Sequence, residues 1–245
     1  MTPPSAAPQG EIRHVDTEAG SLSYTLIRSR RKTLAIHITK EATVEVRAPV
    51  RTPEPEIRRF IAKKEKWIKE HLVRRESANN AKRGFALRYG SEALFYGRVY
   101  PIREKAGNRA GFDGEGFYAP PELAPVALKE AVVLVYKMMA KRILPAKALE
   151  FAREMNVKPA AVRINSAQSR WGSCSGKRSI NFSWRLIMAE EDVIDYVVVH
   201  ELAHLIELNH SPRFWSVVEG ILPDYRARQK KLKQLQEKLA EEDWE

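Results

Sequence analysis

The sequence predicts an α+β protein, with a small β-rich N-terminal region carrying one long helix and a mostly helical second half. Three observations lead there. Apolar residues alternate through "SLSYTLIRS", "KTLAIHIT" and "ATVEVRAP", the period of half-buried strands. They recur at helical spacing in "TPEPEIRRFIAKKEKWIKEHLVRRE" and again from about residue 121 to 155. With 245 residues, 44% of them hydrophobic, the chain has enough apolar material for a real core. The expected organisation is a disordered tail over 1–20, the β-rich region over 21–120, and a second domain over 121–245 that ends in a helix.

The elements follow in order. Residues 1–20 are rich in Pro, Ala, Ser and Gly and lack apolar periodicity, which is the composition of a disordered tail. Leu34, Ile36 and Ile38 share one strand face, and Val44 and Val46 share another, so a small antiparallel sheet is expected. In the helix that follows, Ile57, Phe60, Ile61, Ile68 and Leu72 form the apolar side, with Thr52 as cap and Pro53 at the first position. "ESANNAKRG" reads as a polar hinge. Strand-like stretches separated at Gly90 and Gly97 come next. The region 121–155 is helical, with Pro145 expected to break or kink it. Tyr136, Met138 and Met139 read as core there. "AVRIN" and "SINFSW" read as strands that can pair near the "CSGK" turn. "EEDVIDYVVVHELAHLIEL" and "SPRFWSVVEGILPDYRARQKKLKQLQEKLA" supply the last helices.

Composition excludes several classes. No run of 18 apolar residues exists, so no membrane span is expected. The N-terminus lacks the basic and apolar pattern of a secretory signal, and Cys174 stands alone, so a reducing, cytoplasmic setting is expected. The net charge of +11 permits attraction to polyanions. A basic solvated surface explains it equally, so a nucleic-acid partner has only weak support. Nothing in the sequence specifies an oligomeric state.

The chemistry concentrates in "HELAHLIELNH", residues 200–210. His200 and His204 are four residues apart, about 400° of helical rotation and about 6 Å of rise, so both imidazoles leave one face. Two such nitrogens can share a zinc ion. Glu201 then points to the side of the pair, where a carboxylate can serve as general base to an activated water. The surrounding Val197, Val198, Leu202, Leu205 and Ile206 are apolar. Two histidines and a glutamate on such a helix need a reason, because unpaired polar groups in a core are costly. The bland alternative is a pair of hydrogen-bonded core histidines.

His210 is the expected third ligand. On one continuous helix it would lie about 15 Å beyond His200, so the helix must end near 207–209 and the chain fold back. Asn209 can take the left-handed conformation that ends helices, and Ser211 with Pro212 can start the next one. The spacing matches HExxHxxxxxH of metzincins, although Glu207 stands where they have glycine. Glu219 is the alternative ligand, in the manner of gluzincins. Tyr196, one turn before His200, is a candidate donor to a developing oxyanion. Its alternative is a core tyrosine. Asp195, Arg170, Arg185 and Tyr225 are weaker candidates, and Cys174 is expected to serve a turn or packing.

From Trp171 onward, "WGSCS", "INFSWRLI", "VIDYVVVHELAHLIELNHSPRFW" and "PDY" together resemble the YgjP-like group of zinc metallopeptidases, related to the SprT-like metalloproteases. "RSRRKTLAIHI", "VEVRAP", "KWI" and "YGSEALFYGRVY" extend the resemblance upstream. It implies a zincin-like metallopeptidase domain at about 121–235, with His200, His204 and His210 on zinc and Glu201 as general base. It also implies a sheet edge beside the active-site helix that holds extended substrate, placed here at residues 179–184. A protein or peptide substrate is expected. Two alternatives remain: a zinc hydrolase of another amide or small molecule, and a nucleic-acid-associated binding module with structural zinc.

Overall fold

A computed structural model describes residues 10–17 and 20–244. The chain divides into two units, one ending at Phe85 and one beginning at Ala86. The expected boundary near residue 120 is therefore earlier: the strands of 86–120 belong with the second half. Residues 1–9 of the expected tail lie outside the described residues.

In the first unit, β1 (Glu11–Thr17), β2 (Gly20–Ser29), β3 (Ala35–Ile38) and β4 (Val44–Pro49) form one sheet in the order β1-β2-β4-β3. Where a tail was expected, Glu11–Thr17 is a strand. It pairs antiparallel along its whole length with the next strand, β2, and buries Val15, and this pairing outweighs its polar composition. The sheet is mixed rather than antiparallel, because β2 pairs parallel with β4 while β3 takes the outer edge. Tyr24, Leu26, Val44, Val46 and Ala48 pack against Ile57, Ile61 and Ile68.

Those isoleucines lie on α1 (Glu54–Lys63) and α2 (Glu65–Gly84). The single expected helix bends at Lys64, whose φ of −107° and ψ of 8° depart from helical values. Pro53, not Thr52, holds the cap position, and no side chain caps the helix. The expected hinge "ESANNAKRG" is part of α2. Despite Asn79 and Asn80, it contains good helix formers in Glu76, Ala78, Ala81, Lys82 and Arg83. Glu54 sits at the start of α1 as a charge hub. Its carboxylate pairs with Arg13, Arg28 and Arg58 and accepts a hydrogen bond from the Tyr24 hydroxyl.

The second unit begins with β5 (Glu92–Phe95), β6 (Arg98–Glu104), β7 (Gly111–Phe112) and β8 (Phe117–Ala119), in the order β5-β6-β8-β7. The β5–β6 hairpin turns on Tyr96 and Gly97, both with positive φ (52° and 71°), as a tight hairpin turn requires. A Cβ at Gly97 would lie 2.4 Å from the Glu190 side chain, so only glycine fits. The hairpin tip donates its Tyr96 and Gly97 amides to the carbonyls of Ile187 and Met188. Of the three residues read as core, Tyr136 is fully buried and its hydroxyl donates to the Leu94 carbonyl at 2.6 Å, Met139 is half-buried, and Met138 is instead exposed on the outer face of its helix.

Tyr136 lies on α3 (Pro125–Glu154), which runs unbroken through Pro145. A mixed three-stranded sheet follows, in the order β10-β11-β9: β9 (Ala161–Asn165), β10 (Gly172–Cys174) and β11 (Ser179–Ser183). "AVRIN" and "SINFS" do pair, but in parallel; β10 makes the hairpin with β11. A 3₁₀ turn, Trp184–Met188, leads into α4 (Glu191–Ala203), then α5 (Pro212–Ile221) and α6 (Tyr225–Leu239). The mixed α+β class is as expected. Among the described residues no helix is long and apolar enough to cross a membrane.

Candidate metal centre

The site is built on α4. Its buried face carries Val193, Ile194, Val197, Val198 and Leu202, and it packs against α3, α5, α6 and β10. Its acidic start suits the positive helix N-terminus. Lys147 of α3 reaches Glu191 and Asp195 at 2.8 Å each, and Lys231 of α6 reaches Glu190 at 2.6 Å and Asp192 at 2.9 Å. These lysines clamp the helix on two sides. Asp195 is thus engaged by Lys147 and is not a member of the histidine cluster.

The structure brings His200, His204 and His210 together, with one nitrogen from each within 4.8 Å of the others. His210 Nε2 stands 3.1 Å from His200 Nε2. Two nitrogens on one tetrahedral zinc, each about 2.0–2.1 Å from it, would be about 3.3 Å apart. The donor set therefore fits a zinc ion. Glu219, the alternative ligand, is exposed on α5 and outside the cluster.

The turn that delivers His210 differs from its expected form. Helix α4 ends at Ala203 with His204 at the C-cap, several residues before the expected break. The Ile206 and Glu207 amides both donate to the Ala203 carbonyl at 2.9 Å, closing the last turn. Asn209 does not adopt the left-handed conformation, nor does any residue of 205–210. No glycine is needed, so Glu207 is compatible with the turn. Its carbonyl also receives the His204 Nδ1–H at 3.3 Å, which leaves Nε2 of that ring free as a ligand. Beyond His210, Ser211 caps α5 as expected, accepting the Phe214 amide at 3.3 Å, with Pro212 at the first position.

Phe214 then forms the floor. It is fully buried, with its ring centroid 4.9 Å from that of His200, 4.6 Å from His204 and 4.8 Å from His210. Trp215 stands 6.0 Å from His200 and 5.8 Å from His210, and stacks on Tyr225 of α6. His200 Nδ1 is buried without a hydrogen-bond partner, so packing orients this ring. Burial, with the neighbouring His204 and His210, pushes the His200 pKa down to about 3. Burial also lowers that of His204. Both rings are held in the neutral form that binds metal.

Glu201 is 6% exposed and makes no hydrogen bond or ion pair among the described residues. Burial pushes its carboxyl up to about 7, against a smaller opposing pull from Arg170. It packs against β10. A Cβ at Gly172 would lie 2.6 Å from Glu201 Oε1 and Cγ. Glycine in this strand thus marks the close approach of the carboxylate. Sequence reasoning missed this; the available signal was the glycine within "WGSC". The strand expected beside the cleft, 179–184, is instead the central one. Residues 179–183 form β11, which is paired on both sides and has no free edge. The edge strand β10 packs on α4.

The remaining sequence candidates take varied positions. Tyr196 is buried one turn before His200, its ring 5.9 Å from that imidazole, and burial raises its phenol to about 12. Cys174 is half-buried on β10, and its thiol is pushed up by burial and by Glu201, which opposes thiolate formation. Arg185 binds the carbonyls of Ser166 and Trp244.

A family model for the YgjP-like metallopeptidase domain matches residues 32–235. The chain belongs to the YgjP-like family. A metallopeptidase activity and a bound metal follow from that membership. Two solved metallopeptidase zymogens are similar to parts of this YgjP-like chain. Abylysin of Pyrococcus abyssi is 25% identical, with 40% of this chain and 95% of its own covered and a TM-score of 0.36. Jannalysin of Methanocaldococcus jannaschii is 17% identical, with 37% and 94% covered and a TM-score of 0.34. No curated protein matches the chain.

Proposed function

We propose that this YgjP-like protein is a zinc-dependent peptidase, with His200, His204 and His210 as ligands and Glu201 as general base. The observation that carries the reading is the convergence of three imidazoles next to a buried, uncompensated carboxylate. Three nitrogen ligands with a position left open is the pattern of catalytic zinc, whereas structural zinc is closed by four protein ligands. When bound, zinc supplies Lewis acidity that polarises a carbonyl and makes a water more acidic.

The chain's own groups do the rest. Glu201 removes a proton from the attacking water as its oxygen bonds to the peptide carbonyl carbon. The same carboxyl delivers that proton to the amide nitrogen as the C–N bond breaks, leaving an acid and an amine. Burial, which pushes this carboxyl up in the metal-free protein, favours its holding the proton it takes and returning it. Tyr196, protonated at that pH, is the donor we assign to the developing oxyanion. Phe214 keeps water from beneath the imidazoles and fixes their rings.

Metal analysis paired with a broad peptide library tests the reading. Wild type and Glu201→Gln should each hold one zinc, and only wild type should hydrolyse peptides. Equal hydrolysis by both would overturn the role of Glu201. Zinc titration of His210→Ala should show sharply weakened binding; unchanged affinity would remove His210 from the ligand set.

A further inference from the structure

A groove of roughly 480 Å³ runs between α4 and α6, lined by Tyr196, Arg226, Gln229, Lys230, Lys233 and Gln236 with Leu232. Its charge is one-sided: three cations, two amides, a phenol and no carboxylate. Positions 226, 229, 230, 233 and 236 recur at helical spacing, so one face of α6 presents them together. The other lysine of this helix that meets α4, Lys231, points elsewhere and is consumed by Glu190 and Asp192. Among the described residues Lys230 and Lys233 form no ion pair, while Arg226 donates to the Tyr225 hydroxyl at 3.2 Å and has Glu219 as a charged neighbour. The groove adjoins the histidine cluster, because Tyr196 forms part of its wall and packs edge-on against His200.

We propose that this groove is a specificity subsite that takes acidic side chains of a peptide substrate beside the scissile bond. The inference rests on the peptidase reading and deepens it by naming a substrate class. Lys230 and Lys233, with Arg226 beside them, attract an anion that continues from the bound chain, and the amides of Gln229 and Gln236 add neutral donors. An acidic peptide is favoured over a nucleic acid because the lining offers only Tyr196 as an aromatic ring, with no row of rings on which successive bases could stack.

The test uses zinc-loaded protein and matched peptides that differ only by Glu against Gln near the cleavage point. Wild type should prefer the acidic member by about five- to tenfold in kcat/KM, mainly through KM, the size of a few partly screened charge contacts. The triple variant Arg226→Gln, Lys230→Gln, Lys233→Gln should bring that ratio towards one, as should high salt. Lys238→Gln, outside the groove, should keep the wild-type ratio. Equal cleavage of both peptides by wild type, or an undiminished ratio in the triple variant, would overturn the proposal. A binding arm separates it from the peptidase reading. Fluorescence anisotropy on Glu201→Gln protein should show the acidic peptide binding more tightly, and the triple substitution removing that advantage. If no peptide is cleaved but this binding pattern appears, the subsite stands and the peptidase reading fails. If a single-stranded oligonucleotide binds in a triple-sensitive way and the acidic peptide does not, the acidic-peptide assignment falls.

Discussion

Glu54 and Glu201 are both withdrawn from solvent, and their surroundings are opposite. The Glu54 side chain, 26% exposed, is met by Arg13, Arg28 and Arg58 and by the Tyr24 hydroxyl. Glu201 is more deeply buried, has no ion pair and lies against the backbone of Gly172. The first arrangement compensates charge and ties β1, β2 and α1 together. The second leaves a carboxyl poised between its charged and neutral forms. Burial alone does not distinguish a structural carboxylate from a chemical one; the partners do.

The sharpest way to break this contrast is to neutralise each residue in turn. Glu201→Gln should lower peptide hydrolysis by about 10²- to 10⁴-fold, the usual contribution of a general base. Glu54→Gln should leave the turnover of folded protein near wild type. Steady-state kinetics on both variants decides it, and similar losses would erase the distinction. A smaller effect is expected from Gly172→Ala, which forces the Glu201 carboxylate to move. Displacing a catalytic group by about 1 Å can cost about 100-fold, so kcat should fall by about 10- to 100-fold with the melting temperature little changed. An unaffected kcat would show that the close approach does not position the base.

Stability sharpens the contrast further. A carboxyl raised to about 7 in the folded protein holds its proton more tightly there than in the unfolded chain. In metal-free protein its contribution to stability therefore falls as pH rises from about 4.5 to about 7, and stays low above that. Metal-free Glu201→Gln should then exceed wild type by about 1–3 kcal/mol at pH 8 and match it near pH 4, read by urea denaturation. A difference that does not change with pH would refute this. Glu54→Ala should act in the opposite direction, costing about 1–2 kcal/mol because it removes the acceptor of the Tyr24 hydroxyl and the carboxylate shared by Arg13, Arg28 and Arg58, although Arg13 keeps Glu11 and Arg28 keeps its backbone carbonyls. A neutral result would mean that those pairs are screened away.

The legible part of the site was the part governed by local geometry. His200, Glu201 and His204 follow from helical spacing, and the need for a break before His210 follows from helical rise. The manner of the break was less accessible. It rests on Ala203 accepting two amides and His204 reaching the Glu207 carbonyl, neither of which has a compositional mark. β10 was missed as the neighbour of Glu201 because a three-residue strand carries almost no periodic signal. In the first unit, alternation revealed β2, β3 and β4 but not that β2 and β4 run parallel, since pairing partners are chosen by tertiary packing. Glu11–Thr17 likewise became a strand through its partner, not its own propensity.

The segment 205–209 joins two of the proposed ligands while keeping every residue in ordinary right-handed or extended backbone. Its side chains are thus decoupled from its path. Ile206 and Leu208 already project into solvent next to His210. A randomised library at 206 and 208 should yield many folded, metal-binding members, making this short bridge a place where selection or engineering could rewrite what the cleft meets without rebuilding the metal cage.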